Sequence, residues 1–276
     1  MKLVCNLSSF SILEKIASYI DGIILEDQED IIQKINTIDS YGLISIFKLN
    51  EMVFPMEIEE YRKRILLTMD TNCLYYITDL GLAHILKELG VIDRTIFDPV
   101  TMITNSLDTK EFMEYGFYSI GLSNEITLKD VKQIISKTNC KAFMQVFGYR
   151  LMLNTRRSLI SLYQQKIKTD FSKENMWIQE ATRTDCFPIV ETNKGTKIYR
   201  SHLICLLNEM DTLPLEYAYL DSFRIDDLTF IEIVKLFYSL KNGKNKEEVM
   251  NSLTSMNLPI GEGFSYKDSV YMKEEF

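Results

Sequence analysis

Two histidines in 276 residues leave little scope for chemistry built on imidazole. His84 falls in a helical pattern, where an exposed or capping role outweighs a catalytic one. His202 follows Ser201, and one Ser–His neighbour pair in sequence does not make a triad. No H-E-x-x-H occurs, which excludes a zincin protease. The five cysteines, Cys5, Cys73, Cys140, Cys186 and Cys205, have neither zinc-ribbon nor iron–sulfur spacing. Odd in number and unpaired in spacing, they read as reduced thiols of a cytoplasmic protein. No apolar run approaches the roughly 20 residues of a membrane-spanning helix, and MKLVCNLSSF lacks the pattern of a signal peptide. A cytoplasmic chain without membrane association is therefore expected. NLSSFS, after the first strand-like run, has no glycine, which argues against a dinucleotide-binding fingerprint.

Positive charge is also in short supply. Lys and Arg total 31 against 39 Asp and Glu, a formal net charge of −8. That disfavours broad adhesion to nucleic acid or anionic membrane, though it leaves room for a local basic site.

What the chain does have is an alternation. Strand-like runs occur at 2–7 (KLVCNL), 22–26 (GIILE), 42–50 (GLISIFKLN), 73–78 (CLYYIT), 95–99 (TIFDP), 118–123 (YSIGLS), 141–148 (KAFMQVFG) and 217–225 (YAYLDSFRI). Helical patterns separate the first seven. SILEKIASYI sets Ile12, Leu13, Ile16, Ala17 and Ile20 on one face, and Thr127 with Asp130 has the spacing of a capping box. Strand then helix every 20 to 25 residues or so implies parallel strands with right-handed crossovers. Eight strands is the number that closes a (β/α)8 TIM-like barrel, with a doubly wound open sheet as the rival. The expectation is one α/β domain over 1–276 with an insertion at about 149–216, between strands 7 and 8. Within the insertion, CFPIVETNKGTKIYRS reads as a β-hairpin turning at Asn193-Lys194-Gly195.

Barrel active sites form at the carboxyl ends of the strands. Here those ends offer Glu26, Asp27, Lys48, Asn50, Asp79, Asp98, Ser123, Glu125, Arg150, Arg224 and Asp226. Polar loops alone account for many of these, but Lys48 lies inside an apolar strand, where a solvated charge is unexpected. Lys48, Arg150, Arg156, Arg157 and Arg224 are the candidate anion site for carboxylate or phosphate. The competing reading pairs them with Asp79, Asp98 and Glu125, or leaves Arg156 and Arg157 as a solvated helix start. Asp98, Glu125 and Asp226 are candidates for acid–base work or for a divalent metal.

Four stretches resemble the U32 family of collagenase-like peptidases: residues 97–131 (FDPVTMITNSLDTKEFMEYGFYSIGLSNEITLKDV), 141–163 (KAFMQVFGYRLMLNTRRSLISLY), 186–214 (CFPIVETNKGTKIYRSHLICLLNEMDTLP), and YLDSFRIDD taken with GEGFSYKDSVY. The resemblance spans about 95–276 and independently implies a TIM-like barrel. It implies a protease label, yet several family members act in RNA hydroxylation or, as iron–sulfur proteins, in quinone hydroxylation. Cluster-binding members carry a cysteine after the RR pair. NTRRSL has Ser158 there, so no iron–sulfur cluster is expected. The leading expectation is support of 5-hydroxyuridine formation at the tRNA wobble position with a prephenate-like small dicarboxylate. tRNA, a second U32-family subunit or a homodimer are the candidate partners. The alternatives are a metal-dependent U32 peptidase and a non-catalytic partner subunit.

Overall fold

The structure is a computed structural model and describes residues 1–49, 52–182 and 184–266. Seven strands and an eleventh close a parallel barrel: β1 (Lys2–Asn6), β2 (Gly22–Glu26), β3 (Ile44–Leu49), β4 (Leu74–Ile77), β5 (Thr95–Phe97), β6 (Ser119–Gly121), β7 (Ala142–Thr155) and, after β8 (Trp177–Gln179), β9 (Cys186–Thr192) and β10 (Gly195–Cys205), β11 (Tyr217–Asp221). Each of β1 to β6 pairs in parallel with the next strand, and β11 closes the ring by pairing with β1 and β7. The (β/α)8 expectation therefore holds, and the open sheet does not.

Alternation along the strands divides the core. Inward-facing Val4, Ile24, Ile46, Tyr76, Ile96, Phe143, Tyr217 and Tyr219 fill the barrel. Outward-facing residues pack under the helices, as where the Phe147 ring lies 6.4 Å from Phe230 and 6.2 Å from Phe237. The expected cap exists: the Thr127 hydroxyl accepts from the Asp130 N–H (3.1 Å) and the Asp130 carboxylate accepts from the Thr127 N–H (3.3 Å), opening the helix Leu128–Thr138. SILEKIASYI departs from expectation. Ile12, Leu13 and Ile16 are buried as expected, but only Leu13–Ile16 is α-helical, between 3-10 turns at Phe10–Ile12 and Ala17–Tyr19. Among the described residues no helix is long and apolar enough to cross a membrane.

Two strand boundaries differ from the sequence reading. β7 runs seven residues beyond Gly148, because β10 lies antiparallel against its outer half, from Phe147↔Cys205 to Thr155↔Thr196. This ladder satisfies backbone groups that would otherwise need a loop's solvent. β9 and β10 form the expected hairpin, with β8 as a third antiparallel strand. Gly195 turns it at φ +117°; a Cβ there would lie 2.1 Å from the Thr155 carbonyl oxygen, which only glycine avoids. β11 stops at Asp221 rather than at residue 225, because the Asp221 carboxylate accepts from the Phe223 N–H at 3.0 Å and turns the chain. Asn50, and residues 267–271 of the GEGFSYKDSVY stretch, lie outside the described residues.

Candidate functional site

Two residues beyond six of the eight inward side chains of the barrel, at the carboxyl end, stands a polar one: Asn6 after Val4, Glu26 after Ile24, Lys48 after Ile46, Asp98 after Ile96, Gln145 after Phe143 and Asp221 after Tyr219. A period of two keeps both members of each pair on the same face. The result is a polar ring above an aromatic floor, lining a cavity of about 320 Å³ at the barrel mouth. β7, β10 and the segment after β11 complete its wall with Tyr149, Leu151, Lys197, Tyr199 and Phe223.

The ring's electrostatics rest on three carboxylates. Lys48, adjacent in register to Glu26, donates to its carboxylate at 2.6 Å. Its ammonium also lies 5.9 Å from the Tyr76 ring centroid. Enclosure opposes ionisation of Glu26, but Lys48, with Lys197 and the Asn6 side chain, outweighs it and holds the carboxyl below its ordinary value. The Glu26 side chain is 53% accessible while Lys48 is 9%.

Asp98 and Asp221 are held by the same device twice. The Tyr76 hydroxyl donates to Asp98 at 3.0 Å, and the Tyr219 hydroxyl to Asp221 at 2.5 Å. Each carboxylate also accepts a backbone N–H two residues on, from Val100 (3.0 Å) and Phe223 (3.0 Å). A glycine faces each one. A Cβ on Gly121 would lie 2.3 Å from the Asp98 Cβ, and a Cβ on Gly148, at φ +115°, would lie 2.7 Å from the Asp221 carbonyl oxygen. Burial pushes both carboxyls above their usual range; the turn N–H groups and tyrosine hydroxyls oppose it, as does Lys48. Burial, then the neighbouring carboxylate, pushes both tyrosines well above theirs. The ring therefore offers an ammonium–carboxylate pair, a second lysine, neutral amides, and two buried carboxyls that accept hydrogen bonds from tyrosine hydroxyls.

The sequence candidates separate on this frame. Lys48 and Asp98 line the cavity. Arg150 is buried on β7 and donates to the Gln145 carbonyl oxygen at 3.0 Å. Burial, then the nearby Arg200 charge, lowers it to about 10, against the pull of Glu125 and Asp98. Arg156 pairs with Glu57 at 2.6 Å and lies 4.5 Å from the Phe54 ring centroid; Arg157 is exposed. Arg224, at φ +56°, stacks on Trp177 and Phe223 (4.9 and 5.5 Å) and donates to the Ile189 carbonyl oxygen at 3.2 Å. Of the carboxylates, Glu125 pairs with Arg200 at 2.9 Å, and Asp226 caps the helix Asp227–Lys241 by accepting from the Thr229 N–H at 2.9 Å. Asp79 likewise caps Leu80–Glu88. Among the described residues, no three His, Cys, Asp or Glu side chains are placed to hold a metal ion. The cysteines are dispersed: Cys5, Cys73 and Cys140 are buried on or beside β1, β4 and β7, while Cys186 and Cys205 belong to β9 and β10. Ser158 precedes the helix Leu159–Ile167.

Asn6, Tyr76, Gln145, Lys197, Tyr219 and Asp221 escaped the strand-end reading. The step of two from an apolar strand residue to a polar one, repeated around the barrel, is the signal that finds Asn6, Gln145 and Asp221. Nothing in sequence separates Tyr76 and Tyr219 from ordinary core aromatics.

Comparison with known proteins follows the same lines. The protein is 25% identical over 173 residues to the "tRNA hydroxylation protein P2" of Bacillus subtilis (strain 168), covering 54% of this chain and 55% of that protein. It thus spans about half the length of that curated relative. The solved U32 peptidase Mk0906 shares the fold, with a TM-score of 0.51 at 11% identity, covering 80% of this chain and 92% of that one. The family model described as "Peptidase family U32" matches residues 25–230, three quarters of the sequence, taking in the end of β2 and every later barrel strand. The chain with this polar-ringed barrel belongs to peptidase family U32.

Proposed function

We propose that this protein supports hydroxylation of a tRNA wobble uridine, and that the barrel-mouth cavity binds a small carboxylate that also carries hydroxyl or keto groups, prephenate being the type. The observation that carries this reading is the mixture of groups in the ring. Lys48, Lys197, Asn6 and Asn124 are donors for carboxylate oxygens, whereas Glu26, Asp98 and Asp221 are acceptors for ligand hydroxyls. An aromatic floor of Tyr76 and Tyr219 suits a cyclic ligand. Three carboxylates make the cavity a poor host for a bare dianion, so the ligand's neutral polar groups are part of its recognition. Similarity to a tRNA hydroxylation protein over 173 residues supports the RNA side of the reading. In this account the chain's residues bind and orient the ligand, and a partner subunit supplies basic surface for tRNA. A metal-dependent peptidase finds no group of three His, Cys, Asp or Glu side chains placed for an ion among the described residues.

The test is nucleoside mass spectrometry of tRNA from cells lacking the protein. Loss of hydroxylated wobble uridine, restored by the wild-type gene and not by Lys48→Ala, is expected. Unchanged modification in the deletion strain would reject the reading.

A further inference from the structure

A second cavity, of about 270 Å³, adjoins the first and shares Val100 and Leu151 with it. Met52, Pro99 and Met152 add to its apolar lining, while Thr78, Thr101, Asn154 and the helix-capping Asp79 form its polar side. Met52 is 43% and Met152 44% exposed at its rim, and flexible thioethers on an open groove favour contact with flat, polarisable groups. The wall between the cavities is strained. Val100 has φ +66°, an outlier for a β-branched residue. Its N–H donates to Asp98 and its carbonyl oxygen accepts from the Asn124 N–H at 3.0 Å. Such strain persists where surrounding contacts over-determine it, most often at ligand sites.

Charge is arranged at one end. Two residues beyond Asn154, Arg156, its charge matched by Glu57, lies over the Phe54 ring, whose own surface is 45% exposed, and Arg157 follows, exposed to solvent. A slot with apolar and polar sides, near the Phe54 ring and the exposed Arg157, is complementary to a nucleotide, with its base against the thioethers and its phosphate at Arg157. We propose that this groove is a binding subsite for one nucleotide of single-stranded RNA, next to the cavity that holds the small carboxylate. The inference rests on the tRNA reading above and assigns the strand a place on an otherwise acidic chain.

The test uses fluorescence anisotropy with a fluorescein-labelled single-stranded RNA heptamer carrying a central uridine, titrated with the full chain. Wild type binds, and Met152→Glu and Arg157→Glu each weaken binding at least about tenfold, the scale of one charged contact, with melting temperatures unchanged. Both are exposed positions, so folding is not at stake. No binding by wild type overturns the inference, as does wild-type affinity in both variants, or preference for an unfolded peptide over the RNA. The same preparations are titrated with prephenate. Prephenate binding without RNA binding removes the groove alone; groove-dependent RNA binding without prephenate binding keeps the groove and removes the cavity's proposed ligand.

Discussion

At Asp98 and Asp221 a buried carboxyl, a tyrosine hydroxyl from the layer below, a turn N–H and a facing glycine recur as a set. The glycines are the set's most sensitive members. Gly121→Ala forces a Cβ to within 2.3 Å of the Asp98 Cβ, and neither strand has room to give. It is expected to cost about 1–3 kcal/mol, read from urea denaturation, and to displace Asp98. A variant as stable as wild type would show that this crowding does not exist. The carboxyls themselves predict a pH signature. Asp98 has its folded pKa raised above the unfolded one, so the folded state binds the extra proton and stability falls as pH rises above about 3.8. Asp98→Asn removes that titration. Its stability relative to wild type should therefore improve from pH 4 to pH 7, even though the amide receives the Tyr76 hydroxyl less well. A stability difference independent of pH would contradict the assigned direction.

Elements carry the insertion. Glu191 on β9 accepts from the Ile160 and Ser161 N–H groups (2.7 and 3.2 Å), the Ser161 hydroxyl (2.5 Å) and Lys173 (2.9 Å), fixing the start of the helix Leu159–Ile167. Burial opposes its ionisation, but Lys173, the Ser161 hydroxyl and the two N–H groups win and lower it from 4.5 to about 2. A depressed carboxyl contributes stability that is present above pH 4.5 and lost as pH falls toward 2. Glu191→Ala should destabilise by about 1–3 kcal/mol at pH 7 and flatten the acid limb of a denaturation curve between those pH values. An unchanged acid limb would mean that Glu191 is not the clamp. This clamp was not legible in sequence, since it joins residues 30 apart through a hairpin whose packing no local pattern encodes. The hairpin itself was legible, because its turn needs Gly195. The extension of β7 was not: LMLNT has no strand alternation, and its ladder with β10 is a tertiary effect.

For the whole molecule, the barrel could be read from its eight apolar runs, because parallel strands buried on both faces show as short hydrophobic stretches. The mouth could be read in part. Glu26, Lys48 and Asp98 emerged from the strand ends, since each holds the last inward position in its strand or, for Asp98, just past it. The arginines after Gly148 were drawn into the same set by nearness in sequence, yet the long β7 carries Arg156 and Arg157 past the cavity to a separate rim. Lys48 and Lys197 are the lysines that line the cavity. Any carboxylate bound there depends on them, while Arg157 serves as a control outside it. The most direct test is isothermal titration of prephenate into wild type, Lys48→Ala and Arg157→Ala, with folding checked by thermal melting. Binding by wild type, weakened by about 1.5–3 kcal/mol in Lys48→Ala and unchanged in Arg157→Ala, is the predicted result. Absence of binding by wild type, or loss confined to Arg157→Ala, would contradict the assignment of the barrel mouth as the ligand site.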